Sequence, residues 1–177
     1  LERMGVHPDT ILEPAMGVGN FFGLLPESMQ NATLMGVELD SITGRLAKQL
    51  YPQANITVDG FERVNLPDNS IDLAVGNVPF GSYKLADPRY DKQNLVLHDY
   101  FFVKTLDKVR PGGIVAFITS KGTLDKQDST VREYLAQRAD ILGAVRLPNN
   151  AFSRNAGTDV TTDMLFLQKR AQPPEQV

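Results

Sequence analysis

Ile71-Asp72-Leu73-Ala74-Val75-Gly76-Asn77-Val78-Pro79-Phe80 reads as a buried strand that ends in an amide, a stiff backbone and an aromatic ring. Such residues seldom need to meet at the end of an apolar strand. Asn77 sets a fixed amide beside whatever occupies the adjoining cleft. Pro79 restricts the backbone, and Phe80 offers a flat apolar face. Together they suit a planar group carrying an exocyclic amine. The plainer reading is a loop with a buried aromatic.

Working outward, short apolar runs alternate with helical spacing. Strands are predicted over 10–12, 33–37, 56–58, 71–75, 114–118, 141–147 and 163–168. A short helix opens at Phe21-Phe22 and is limited by Pro26. A second helix spans 41–50, with Ile42, Leu46 and Leu50 as its apolar stripe and Ser41 as N-cap. A third, periodic helix covers 96–109 and is closed by Pro111-Gly112-Gly113. A fourth covers 129–138. Residues 82–94, broken by Pro88, read as a polar loop. The alternation predicts an α/β fold, with a mostly parallel central sheet and helices on both faces. In such sheets ligands bind outside the carboxyl ends of the strands, near the switch in strand order.

Three further motifs fall at strand ends. Glu13-Pro14-Ala15-Met16-Gly17-Val18-Gly19-Asn20 follows the first strand, and its glycines allow a tight turn and close approach of backbone to ligand. A plain strand-to-helix turn has the same look. The motif is neither a dinucleotide fingerprint, which has no Glu-Pro before its glycines, nor a Walker A loop, which needs Gly-Lys-Ser/Thr. Glu38 ends the second strand about 20 residues further on, where a carboxylate can accept from both ribose hydroxyls. Asp40 beside it reads as a helix-start residue. Asp59-Gly60-Phe61 follows the third strand; Asp59 can accept from an adenine amine while Phe61 covers the ring, although Asp-Gly is equally an ordinary turn pair. Phe101-Phe102 reads as core and His98 as structural or solvated. Lys84, Arg89 and Lys92 suit phosphate contact or simple solvation.

Composition narrows the chemistry. With no Cys, thiolate metal sites and cysteine nucleophiles are excluded, and two distant His residues argue against zinc. No apolar run reaches the ~20 residues of a membrane span, so a cytoplasmic protein with no membrane partner is expected. The net charge is −3. A stand-alone nucleic-acid binder usually carries a basic excess. If the chain acts on nucleic acid, other segments or a partner supply much of the grip.

Taken together, these motifs resemble the N6-adenine DNA methyltransferases, enzymes with a Rossmann-like fold that use S-adenosylmethionine. Glu13 to Phe21 is similar to that family's cofactor loop, with Glu13, Pro14, Ala15, Gly17, Gly19 and Asn20 as its binding residues. Glu38, followed by Leu39, matches the ribose-binding acid, and Asp59, Gly60 and Phe61 resemble the adenine pocket. Asn77-Val78-Pro79-Phe80 resembles the catalytic Asn-Pro-Pro-Phe/Tyr tetrapeptide, with Val78 in place of the usual proline. Leu147-Pro148, Phe152, Gly157-Thr158 and the strand at Asp163-Met164-Leu165-Phe166 are similar to the late region of type I restriction-modification subunits.

The resemblance implies methyl transfer to the amine of a flipped-out adenine in DNA, with no metal. It implies a catalytic domain over 1–170, a tail or linker over 171–177, and DNA contact through additional domains or a partner subunit. Leu1 in place of an initiator Met and the missing recognition region suggest part of a larger polypeptide. Two other readings stay open: methylation of a protein glutamine or an RNA base, and a non-catalytic cofactor-binding module.

Overall fold

The computed structural model describes residues 1–149, 151 and 161–172. Phe152, Gly157 and Thr158 therefore lie outside the described residues. Seven strands form one sheet: β1 (Thr10–Glu13), β2 (Thr33–Glu38), β3 (Asn55–Val58), β4 (Ile71–Asn77), β5 (Val109–Ser120), β6 (Ala139–Arg146) and β7 (Thr162–Lys169). Their order is β3-β2-β1-β4-β5-β7-β6, parallel except for β7, which runs antiparallel to both neighbours. The helices are α1 (Asn20–Gly23), α2 (Ser41–Leu50), α3 (Leu97–Lys108), α4 (Gly122–Asp125) and α5 (Thr130–Ala136).

Alternating strand residues feed two cores. Leu12, Ala74, Val115, Phe117 and Leu167 pack with Phe102, Val103 and Leu106 of α3 and with Leu135 of α5. Ile11, Leu73, Val75 and Ile114 face the other way, against Phe22 of α1, Met29 and Ala47 of α2. The expected α/β architecture, covered on both faces, is thus present. At the base of the sheet Asp72 ties β4 to β1, accepting from the amides of Asp9 (3.0 Å) and Thr10 (2.8 Å) and from the Thr10 hydroxyl (2.9 Å). Over β4, β5 and β7 the α1 side of the sheet opens into an apolar cleft of about 410 Å³. Apart from Glu2 its lining offers no group for chemistry.

Three local expectations fail for physical reasons. In α2 the stripe Ile42, Leu46 and Leu50 points outward, 61, 52 and 61% exposed. Gly44 and Ala47 face the sheet instead. A Cβ on Gly44 would come within 2.8 Å of Val58, so only small residues fit in so closely packed a place. The cap of α2 is Asp40, whose carboxylate accepts from the Thr43 amide at 2.7 Å, and not Ser41; an Asp there satisfies an otherwise orphaned first-turn donor. Lastly, α3 is buried on all sides rather than amphipathic, and stops at Lys108 because Val109 already pairs with Ile71 in β5. The expected terminator Pro111-Gly112-Gly113 lies inside β5, with Gly112 at φ 78°. The β4–β5 register shifts there, as at a bulge.

The outward stripe is directly testable by urea denaturation. Leu46→Gln should change stability by less than about 0.5 kcal/mol, whereas Ala47→Leu should cost about 1–3 kcal/mol through overpacking. The reverse order would show that the stripe faces the sheet.

Candidate active site

Between β1 and β4 the strand order reverses, and the chain leaves these neighbours toward opposite faces. A cavity of about 350 Å³ lies at their carboxyl ends, within the range of small-ligand sites. It brings together ten of the residues singled out from sequence: Pro14, Ala15, Gly17, Glu38, Leu39, Asp59, Gly60, Phe61, Asn77 and Pro79. Glu13, Gly19, Asn20, Val78 and Phe80 do not line it.

The glycine loop turns at two left-handed positions, Gly17 (φ 56°) and Gly19 (φ 85°), which glycine adopts without steric cost. A Cβ on Gly19 would stand 2.5 Å from the Tyr51 ring, whose hydroxyl donates to the Gly19 carbonyl at 2.7 Å. The loop docks on β2. The Met16 amide donates to the Val37 carbonyl (2.9 Å), and the Gly17 amide donates to Glu38 Oε2 (2.8 Å). Glu38 Oε1 accepts from the Asp40 amide (2.8 Å), and the Glu38 carbonyl accepts from the Asp59 amide (3.0 Å). One strand-end residue thereby holds two of the cavity-lining loops in register.

Asp59 accepts from the Gly60 amide at 2.7 Å and from Arg63. The hydrogen bond from Arg63 holds its carboxyl below the usual carboxylate range. Phe61 is 3% exposed. Its ring stacks on Phe101 at 5.1 Å and 29°. Offset stacking of this kind makes the two rings one apolar wall of the cavity. The reading of Phe101 as core therefore holds, and the residue lines the site as well.

Asn77 closes β4 with its side chain exposed at the cavity, and no hydrogen bond to that side chain forms among the described residues. Val78 is 1% exposed, and its amide donates to the Ile118 carbonyl at 3.0 Å. A proline there would lack that N–H. The ladder bond and burial supply at Val78 the rigidity that the ring would otherwise give. Phe80 stands outside the lining, 40% exposed.

Four lining residues carry no signal in the sequence reading: Glu62, Tyr83, Leu85 and Leu97. Tyr83 and Leu85 sit in the stretch expected to be a polar loop, where an aromatic and a leucine among polar neighbours were the available clue. Arg89 of that loop meets carboxylates: its guanidinium spans Asp68 (2.7 Å) and Asp107 (2.9 Å). His98 is largely buried against Asp99, in keeping with a structural role.

Glu13 is 2% exposed, and its Oε2 has no partner among the described residues. Burial, reinforced by the Glu38 charge, pushes its carboxyl up to about 9, since a desolvated carboxyl disfavours its charged form. It is therefore protonated at neutral pH in the ligand-free protein. Among the described residues no group of three His, Cys, Asp or Glu side chains could hold a metal ion. No helix there is long and apolar enough to cross a membrane.

The N-6 DNA methylase family model matches residues 2–177. The chain belongs to that family. Defense against restriction protein B of Escherichia phage P1 is 31% identical over 175 residues, covering 96% of this chain and 8% of the phage protein. The chain thus spans a small part of that relative's length. Two solved structures share the fold. A modification subunit assigned to a type I restriction enzyme of Vibrio vulnificus YJ016 gives a TM-score of 0.75 at 22% identity, covering 93% of this chain and 41% of that one. The N-methyltransferase NodS of Bradyrhizobium japonicum WM9, solved with S-adenosyl-L-homocysteine, gives 0.63 at 15%, covering 95% and 79%.

An acid whose folded pKa is raised keeps a proton that the unfolded chain releases. For Glu13 that contribution is complete below the unfolded value of 4.5 and is lost as pH climbs toward about 9. The protein should therefore lose stability on the order of 1 kcal/mol per pH unit across that window. Glu13→Gln should flatten the dependence in denaturation curves taken from pH 5 to pH 9. An unchanged slope would place the burial penalty elsewhere.

Proposed function

We propose that this chain is the catalytic core of a DNA adenine N6-methyltransferase that takes its methyl group from S-adenosylmethionine. The observation that carries this reading is the Asn77 amide at the end of β4, unpaired among the described residues. It opens onto a cavity shared with the glycine loop, Glu38 and the Phe61–Phe101 wall. The donor set fits the cofactor. Glu38 offers a carboxylate to ribose hydroxyls, Phe61 and Phe101 offer an apolar wall to an adenine ring, and Asp59 can accept from its amine. Glu13, just before Pro14 in the chain, has a buried oxygen without a partner among the described residues, suited to ionise when a cationic ligand arrives. Leu39, Gly60, Ala15 and Pro14 also line the cavity, while Gly19 and Asn20 act by shaping the turn into α1.

The bound cofactor supplies a methyl group already activated on a sulfonium. The residues of this chain position the acceptor. The Asn77 side-chain oxygen accepts a hydrogen bond from the amino group of the target base, and the Val78 carbonyl, buried behind the lining, would take a second once the base is seated. These bonds aim the nitrogen lone pair at the methyl carbon. Held by Glu38, Asp59 and the Phe61–Phe101 wall, the cofactor would supply the methyl group from its sulfonium and leave as a neutral thioether, and the base would lose one amine proton to solvent. Positioning of this kind supplies much of a rate enhancement. Phe80, exposed beside the cavity, can stack on a base extruded from the duplex.

The family match favours DNA over glutamine or RNA. The span of 8% of the phage relative and the charge of −3 favour DNA contact through additional domains or a partner subunit. Such a core would work in the cytoplasm, where the DNA is, and would comprise residues 1–170. Arg170 still docks on the sheet, its amide donating to the Arg138 carbonyl at 2.8 Å.

In the full-length parent protein Asn77→Ala should lower methyl transfer to DNA by about 100-fold or more, while leaving S-adenosylmethionine affinity within a few-fold. DNA should outcompete RNA and a glutamine peptide as acceptor. Full activity in the variant, or transfer to glutamine or RNA alone, would overturn the reading.

A further inference from the structure

Lys104 is a buried lysine on α3 that no catalytic step requires; its side chain is 5% exposed. Its Nζ donates to three oxygens on two separate segments: the Phe61 carbonyl at 2.8 Å, the Glu62 carbonyl at 3.3 Å and Asp87 Oδ2 at 3.0 Å. It also lies 5.0 Å from the centroid of the Phe61 ring, within reach of a cation–π attraction. The two carbonyls belong to the 3-10 turn Phe61–Arg63 that follows β3. Asp87 belongs to the segment that follows the Asn77 tetrapeptide.

Asp87 is the knot of that segment. Its Oδ2 accepts from the Tyr100 hydroxyl at 2.6 Å, its carbonyl accepts from the amides of Tyr90 and Asp91, and its own amide donates to Asp91 Oδ1 at 2.8 Å. Nearer the tetrapeptide, the Tyr83 carbonyl accepts from the Leu97 amide at 3.0 Å. Phe61 and Glu62 form one wall of the cavity, and Tyr83 and Leu85 form another. One ammonium therefore ties both walls to the same point on α3, with its three N–H donors all used.

Stability alone is a poor reason for such a pair. Apolar residues of equal volume often serve as well as a buried ion pair or better, whereas removal of one partner leaves the other charge unpaired. We propose that Lys104 and Asp87 are positioning residues that fix the spacing between the cofactor-side wall (Phe61, Glu62) and the acceptor-side wall (Tyr83, Leu85). The inference rests on the methyltransferase reading for its consequence, and on the hydrogen bonds alone for its mechanics.

The test is amide hydrogen exchange on the ligand-free full chain, followed by cofactor titration. In Lys104→Met, and more mildly in Asp87→Asn, exchange should quicken together at Val64 and at Tyr90 and Asp91, while the β1 and β4 amides keep their protection. S-adenosylmethionine affinity should fall on the order of tenfold, and most of that loss should vanish when Lys104→Met is made in a Phe61→Ala background. Unchanged exchange at either segment, exchange that quickens throughout the sheet, or additive losses in the double variant would overturn the proposal. If the wild type fails to bind the cofactor, the proposed function falls, and the exchange pattern still decides the role of the pair.

Discussion

Two neighbouring parallel strands that send the chain to opposite faces of a sheet cannot close the gap between their ends. Here those strands are β1 and β4. The chain leaves β1 through the glycine loop into α1 on one face, and leaves β4 through the tetrapeptide toward α3 on the other. The gap is a consequence of topology and needs no residue to prop it open. The other features of the site are ways of lining that gap and holding its lining still.

Holding is done by a few groups that each join two segments. Asp72 pins the bases of β1 and β4, so their upper ends stay adjacent. Glu38 fastens the glycine loop with its carboxylate and the Asp59 turn with its backbone carbonyl. The Val78 amide extends the β4–β5 ladder one residue past Asn77 and thereby fixes the backbone that carries it. Each bond is worth only about 1 kcal/mol net, but each removes a degree of freedom from the cavity wall. Under the proposed function Glu38 serves twice, since the carboxylate that orders the glycine loop is also the one offered to a ribose.

Most of the sheet was legible because apolar, β-branched runs bounded by Gly and Pro admit few other readings. The strand-end motifs were legible for a related reason. Asn77, Glu38 and the Gly17–Gly19 turn are residue types that a plain loop does not require in that order. What escaped was decided by tertiary contact. The stripe Ile42–Leu46–Leu50 has the period of a core face, yet Gly44 and Ala47 face the sheet, and at Gly44 the closeness of Val58 leaves no room for a side chain. Asp40, read as a helix-start residue, caps α2 in place of the expected Ser41, a choice between adjacent residues that spacing alone does not make. Residues 82–94 look like solvated loop because two partners of Asp87, Tyr100 and Lys104, lie well downstream on α3. Phe61 lines the cavity where the sequence placed it, whereas Phe101, read only as core, and Tyr83, in the expected polar loop, join that lining.

The cavity at the ends of β1 and β4 is proposed to bind the cofactor. The most direct measurement is calorimetric titration of S-adenosylmethionine into the protein, with Glu38→Gln as the comparison. Saturable one-to-one binding that weakens about tenfold or more on loss of the carboxylate is the predicted result. Absence of binding to the wild type, or equal binding by the two proteins, would contradict it.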